Sequence, residues 1–293
     1  MNNVTFSIGI AAYQAAGYIQ SALTSIGRQS CPDWEIIVIE DGSHDETESI
    51  VSRFASSFPA NRITYKNLNV NHGVAAARNR FLDLASGRFM AFLDADDQWE
   101  EQHLENLLSC LEGTHVLACT PILIWDGQNE RLTGQYRPNP AQLLSPLREI
   151  FKRSFIMTSS CVALPRSTFE KVGYFDESLR IGEDRDYWFR AFNTGGSLGC
   201  TTLATCRYTK HGASSMTNTL LVARDNVKFY EKHRANSKIA RLVSRRLYAD
   251  ALRNVGRLSR SEDMAAARHT FLKAWKIWPP GIDLPLRALL AGF

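Results

Sequence analysis

No stretch of this chain of 293 residues approaches the roughly 20 consecutive apolar residues that a helix needs to cross a bilayer. No Lys or Arg precedes Arg28, so the charged start of a secretory leader is missing as well. A cytoplasmic location is the expectation, at the inner membrane face if the basic tail engages lipid. The six cysteines, Cys31, Cys110, Cys119, Cys161, Cys200 and Cys206, contain no C-x-x-C pair and lie scattered among apolar segments. That distribution argues for reduced, buried thiols and against a disulfide framework or structural zinc.

Charge is present but unevenly placed. Residues 1–223 hold 19 basic and 24 acidic side chains, whereas 224–276 hold 14 basic and 5 acidic. Such a basic block points to an anionic partner for the C-terminal part, either a membrane surface or a polyanionic substrate. A solvated helix face is the plainer reading of the same residues.

Along the chain, short apolar runs alternate with helical patterns. Phe6–Ile10, Glu35–Ile39, Ile63–Tyr65 and Phe89–Leu93 read as strands. Ala15–Gln29, a segment opened by Asp45–Thr47, and Val74–Ala85 read as helices between them. The order predicts a doubly wound, mostly parallel α/β sheet with right-handed crossovers. A helix near Glu101–Leu111 and a strand over Val116–Trp125 continue it, and Asp126–Pro146 is a turn-rich loop or hairpin. Phe155–Leu164 is strand-like, Arg166–Val172 a helix ended by Gly173, and Glu183–Asn193 a helix closed by Gly195-Gly196. From about Leu220 the pattern is helical alone, up to Pro279-Pro280 and a short amphipathic end. Residues 1–219 are thus expected to form the α/β domain and 220–293 a basic helical extension.

Three carboxylates, Asp94, Asp96 and Asp97, stand within four positions at the end of an apolar strand. They would repel one another and shift toward protonation unless a cation such as Mg²⁺ or Mn²⁺ neutralised them. The C-terminal strand edge is also where open α/β sheets bind ligands. Asp41 follows the second strand, and Glu183-Asp184 opens the helix carrying Trp188. Three such acidic positions can supply a nucleotide-base acceptor, a metal site and a general base. Each also has a structural reading: a cap for the helix after Asp97, a turn at Asp41, an acidic helix start at Asp184.

Five ordered blocks carry a resemblance. Ile8-Gly-Ile-Ala-Ala-Tyr-Gln14, Trp34 to Ser43, Asn71 to Asn79, Ala91 to Asp97 and Gly182 to Trp188 are similar to those of family-2 inverting glycosyltransferases, over about residues 5–215. The resemblance implies the A-type glycosyltransferase fold, also called the nucleotide-diphospho-sugar transferase fold. It places Asp41 on the base of the nucleotide sugar and Ala11 and Tyr13 beside the nucleotide. Arg78 falls near the diphosphate, and Asp94 and Asp96 on ribose and metal. Asp184 matches the catalytic base, and His211 completes the metal or diphosphate site. Trp188, Glu183 and Trp99 are the candidates for the acceptor side. Departures are Ala11 for the usual Pro, Gln14 for Asn, Glu40 as first acid of its block, and Thr209 for an Arg. They bear on which donor is used and remove no catalytic group.

The activity so implied is metal-dependent, inverting transfer from a nucleotide-diphospho-sugar, UDP-linked by expectation, to a hydroxyl of a glycan or lipid-linked acceptor in cell-surface polysaccharide synthesis. No nucleic-acid partner is expected. A sugar nucleotidyltransferase is a rival, but it calls for a Gly-rich, basic loop after the first strand, where Ala11-Ala-Tyr-Gln14 stands. A nucleotide-sugar-binding or interaction protein without turnover is the other.

Overall fold

The computed structural model describes residues 4–59, 62–210 and 218–279. The chain divides into two compact units, Met1–Ser178 with Glu183–Ser214, and Leu179–Gly182 with Ser215–Phe293.

In the first unit, β1 (Phe6–Ala12), β2 (Trp34–Glu40), β3 (Ile63–Asn67) and β4 (Phe89–Phe92) run parallel in the spatial order β4-β1-β2-β3. Helices α1 (Ile19–Gly27), α2 (Thr47–Ala55) and α3 (Val74–Leu84) make the crossovers. Ile8, Ile10, Ile36, Val38 and Ile39 are fully buried, because helices cover both faces of a parallel sheet and leave no solvated side. The doubly wound layer expected from the alternation of strands and helices is therefore present.

Past β4 the pattern changes. The later strands are β5 (Gln98–Trp99), β6 (Leu117–Cys119), β7 (Ile122–Asp126), β8 (Arg131–Tyr136), β9 (Val162–Pro165), β10 (Leu198–Cys200) and β11 (Cys206–Lys210). β9 joins β4 antiparallel and completes a seven-stranded order β10-β6-β9-β4-β1-β2-β3. A second sheet has the order β5-β11-β7-β8. The single strand expected over Val116–Trp125 is two strands in different sheets. Pro121 lies between them, where it can neither donate to a ladder nor continue one. Gln98-Trp99, left without an element between the acids and the helix expected near Glu101–Leu111, pairs with β11 opposite Cys206 and Arg207, and that helix, α4 (His103–Leu111), begins four residues later. The excursion after Asp126 is the β7–β8 hairpin followed by α5 (Pro140–Leu144) and α6 (Pro146–Lys152), α5 being opened by an Asn139–Gln142 capping box. Helix α7 (Arg166–Val172) ends at Gly173 with φ 76°, as its sequence suggests.

Behind the sheet edge, α8 (Glu183–Asn193) packs Tyr187 and Trp188 against Phe92 and Phe175. The second unit consists of α9 (Thr219–His233), α10 (Arg241–Leu258) and α11 (Met264–Ile277), with Leu179–Gly182 anchored to them through the Arg180 and Ile181 amides, both bonded to Asp225. The amphipathic end read at 282–293 lies outside the described residues.

Gly9, in the middle of β1, lets α3 approach. A methyl group there would come within 2.4 Å of the Phe81 ring, itself wedged edge-on against Phe92. Gly9→Ala is expected to lower stability by about 1–3 kcal/mol through overpacking, read as the midpoint of urea unfolding. An unchanged midpoint would show that α3 can back away.

Candidate active site

Asp41 is the first residue after β2 and is 4% exposed. Its Oδ1 accepts the His72 N–H at 2.8 Å and its Oδ2 the Gly73 N–H at 2.7 Å. Those amides lead into α3, so the carboxylate pins that helix start. Gly42, with φ 77°, allows the closure, since a Cβ there would meet Val70 and Asn71 backbone within 2.8 Å. A carboxylate offers about four lone-pair directions, so Asp41 keeps acceptor capacity beyond these two bonds. The Asp41 amide bonds the Ala12 carbonyl, which sets the end of β1, with Ala11 and the half-exposed Tyr13, beside it.

Helix α3 carries Arg78 five residues past Gly73, about 7.5 Å along the axis. Its guanidinium is buried. Nη1 donates to Glu183 Oε1 at 2.5 Å and Nη2 to Asp94 Oδ1 at 2.9 Å. One cation thus ties α3, the loop after β4 and the start of α8. Arg78 braces these carboxylates, because leaving a buried Glu183 without a counter-charge would be costly.

The acids after β4 are set by hydroxyls. Thr158 donates to Asp94 Oδ2 at 3.2 Å and to Asp97 Oδ2 at 3.0 Å, and Ser160 donates to Asp97 Oδ2 at 2.6 Å. The Thr209 amide completes Asp97 at 2.9 Å. Asp97 is fully buried, while Asp94 and Asp96 keep partial exposure. Burial pushes the Asp97 carboxyl well up, and the charges of Asp94 and Asp96 push it further. Thr158 and Ser160 escaped the sequence reading, which met Thr209 only as a departure from the family pattern; the one signal was a hydroxyl run, Thr158-Ser-Ser160, between apolar segments.

At the α8 start, burial raises the Glu183 carboxyl to about 7 despite Arg78, whereas the carboxylates around Arg78 hold its proton more firmly. Both groups thus hold their protons more firmly, which favours the neutral form of Glu183 and the charged form of Arg78. Arg78 has no accessible neutral state, so the cost of desolvation falls on Glu183. Asp184 keeps some exposure, and its carboxyl is also raised, by burial first, with Arg78 opposing. Asp186 is fully buried in a 2.8 Å pair with Arg190.

The aromatic acceptor-side candidates need correction. Trp188 is fully buried among Phe92, Phe175 and Tyr187, so it supplies core area and offers no sugar a face. Trp99 is 5% exposed, stacked on His103 at 4.4 Å, with its indole N–H on the Ser160 carbonyl. Glu183, likewise an acceptor-side candidate, is committed to Arg78. His211 lies outside the described residues.

Among the described residues no group of three His, Cys, Asp or Glu side chains converges as a cage for a metal. The oxygen donors at Asp94 and Asp96 nevertheless fit Mg²⁺ or Mn²⁺, which bind through one or two carboxylates and complete their shell with water and substrate phosphate. Both side chains also keep partial exposure, which a cation that retains part of its water shell requires.

Residues 7–173 match the family described as glycosyl transferase family 2. The chain belongs to that family. It is 39% identical over 97 residues to the putative teichuronic acid biosynthesis glycosyltransferase TuaG of Bacillus subtilis, covering 33% of this chain and 38% of that protein. With the PGL/p-HBAD biosynthesis glycosyltransferase of Mycobacterium bovis it shares 30% identity over 188 residues, 64% of this chain and 70% of the relative. Of several other relatives the chain spans less, 58% of one Rickettsia prowazekii glycosyltransferase and 20% of GgaB from B. subtilis. Among solved structures, TarS 1-349 of S. aureus in complex with UDP-GlcNAc superposes with a TM-score of 0.67 at 18% identity, covering 92% of this chain and 79% of that one. The mannosyltransferase PcManGT from Pyrobaculum calidifontis, solved with GDP-Man and Mn²⁺, gives 0.64 at 21%, covering 99% and 79%. These likenesses establish the A-type fold.

The raised Glu183 carboxyl yields a pH signature. It binds its proton up to about pH 7 in the folded chain but only to about 4.5 in an unfolded one. Stability from this group is therefore full below about pH 4.5 and is lost as pH rises through 7. Glu183→Gln, neutral at every pH, should lose less stability than the wild type between pH 5 and 7.5 by urea unfolding; parallel curves would refute the assignment.

Proposed function

We propose that the chain is an inverting, metal-dependent glycosyltransferase that moves a sugar from a nucleotide-diphospho-sugar, UDP-linked by preference, to a hydroxyl of a glycan or lipid-linked acceptor in cell-surface polysaccharide synthesis. The observation that carries this reading is the convergence of Asp94, Glu183 and the neighbouring Asp184 on Arg78, at the sheet edge where Asp41 also sits. Membership in family 2 and relatives named for teichuronic acid and PGL/p-HBAD biosynthesis support the activity and its setting.

In this reading Asp41 accepts a hydrogen bond from the nucleotide base with the lone pairs that His72 and Gly73 leave over, and Ala11 and Tyr13 flank the nucleotide. Asp96 and Asp94 would hold Mg²⁺ or Mn²⁺, with His211 as a further ligand. When bound, the cation stabilises the charge that develops on the departing diphosphate. Asp184 accepts the proton of the acceptor hydroxyl as that oxygen attacks the anomeric carbon from the face opposite the leaving group, and a single displacement inverts the centre. Burial raises the proton affinity of Asp184 above that of an ordinary aspartate, the direction that favours a general base. Arg78 acts at one remove, as a positioning residue. In the helical unit, Phe271, Leu272 and Trp275 stand exposed on a strongly basic α10–α11 pair, which supports peripheral contact with an anionic membrane surface.

Asp184→Asn should cut kcat by about 10²–10⁴-fold while leaving UDP-sugar affinity within a factor of a few, measured by UDP release and by calorimetric titration. Loss of donor binding alongside turnover would instead make Asp184 a donor ligand. Asp96→Asn should abolish the dependence of turnover on added Mn²⁺, and a retained metal optimum would move the metal elsewhere.

A further inference from the structure

The helical unit contains a cavity of about 800 Å³ that the transfer reaction does not use. Among the described residues four cations line it, Arg234, Arg241, Arg245 and Lys276, with Tyr248 and Ile277 forming part of the wall and no carboxylate on the lining. Among the described residues Arg241 and Lys276 have no ion-pair or hydrogen-bond partner, and both are exposed. Arg245 is held with one arm on the Ile277 carbonyl at 2.8 Å, and Arg234 lies over the Tyr248 ring at 5.2 Å. The nearby acids are spoken for: Glu231 bonds the Tyr248 hydroxyl and Lys273, and Asp250 pairs with Arg246 and Arg253. The start of α10 also opens here, through Ala240 and Arg241, with no side-chain cap and no acid in its first turn, so its free amides add to the positive field.

Four like charges around one concavity repel one another unless an anion enters. We propose that this cavity is a binding site for a phosphate group, separate from the candidate nucleotide site, with Arg241 and Lys276 as its free cations and Arg234 and Arg245 as its fixed ones. Planar guanidinium groups match the oxygens of phosphate in pairs, and the apolar wall from Ile239 and Ile277 suits the carbon attached to a phosphomonoester or diester. The phosphate could come as a soluble anion or as a lipid headgroup; the chemistry of recognition is shared.

The test uses the full chain. Wild type, Arg241→Gln/Lys276→Gln, and a control Arg260→Gln/Arg268→Gln of equal charge loss outside the cavity lining would be titrated with inorganic phosphate and floated with phosphatidylglycerol vesicles. The expected result is at least a tenfold weaker affinity for the cavity variant than for the control. Loss with inorganic phosphate identifies a soluble anion as sufficient, and loss with vesicles alone identifies a headgroup. Equal behaviour of the two double variants, or no binding of either probe by the wild type, overturns the proposal. Both substitutions fall on exposed side chains, and circular dichroism melts confirm that folding is shared by all three proteins.

Discussion

The candidate site depends on one buried guanidinium. Arg78 sits where three carboxyl groups, Asp94, Glu183 and Asp184, would otherwise face one another with little water to separate them. In a partly desolvated setting their repulsion would push α8 away from the loop after β4, or neutralise the acids outright. Arg78 prevents both. Its stem is fixed by α3, and α3 is fixed at its start by Asp41 and along its length by Phe81 lying on Gly9. The chain of cause therefore runs from a glycine in the first strand to the protonation of an acid on the last helix of the first unit.

Much of the parallel half was legible because its physics is local. Glu35-Ile-Ile-Val-Ile39 admits hardly any reading but a doubly buried strand, and Gly173 after Val172 admits only a helix stop. The acid clusters were equally visible, since carboxylates at strand ends are unusual without a task. What escaped depends on partners distant in sequence. Gln98-Trp99 forms a strand only because Cys206-Arg207 lies alongside. Thr158 and Ser160 became part of the site only because β9 enters antiparallel beside β4, bringing a hydroxyl run onto Asp94 and Asp97. No periodicity in either segment records the other.

The aromatic residues show the same limit from the other side. Trp188 follows Asp184 by four positions, one helical turn, which in isolation would let both face one ligand. The fold decides otherwise, closing Phe92, Phe175 and Tyr187 around the indole and making it the floor beneath the acids. A rigid floor keeps the α8 start in register with Arg78, so Trp188 serves the site through position. At Asp184 loss of water, more than any neighbouring acid, lifts the proton affinity.

The break at Pro121 places Cys119 and Ile122 in different sheets. Within the second sheet β7 is tied to β11, whose Thr209 holds Asp97, but β8 lies at the edge and pairs with β7 alone among the described strands, so β8 and the turn at Gly127–Glu130 form an outgrowth. None of the side-chain partners of Asp41, Arg78 or Asp94 described above lies in that turn or in β8. Diversification of the scaffold thus has an outlet at a rim that can be rebuilt while the reaction centre stays constant.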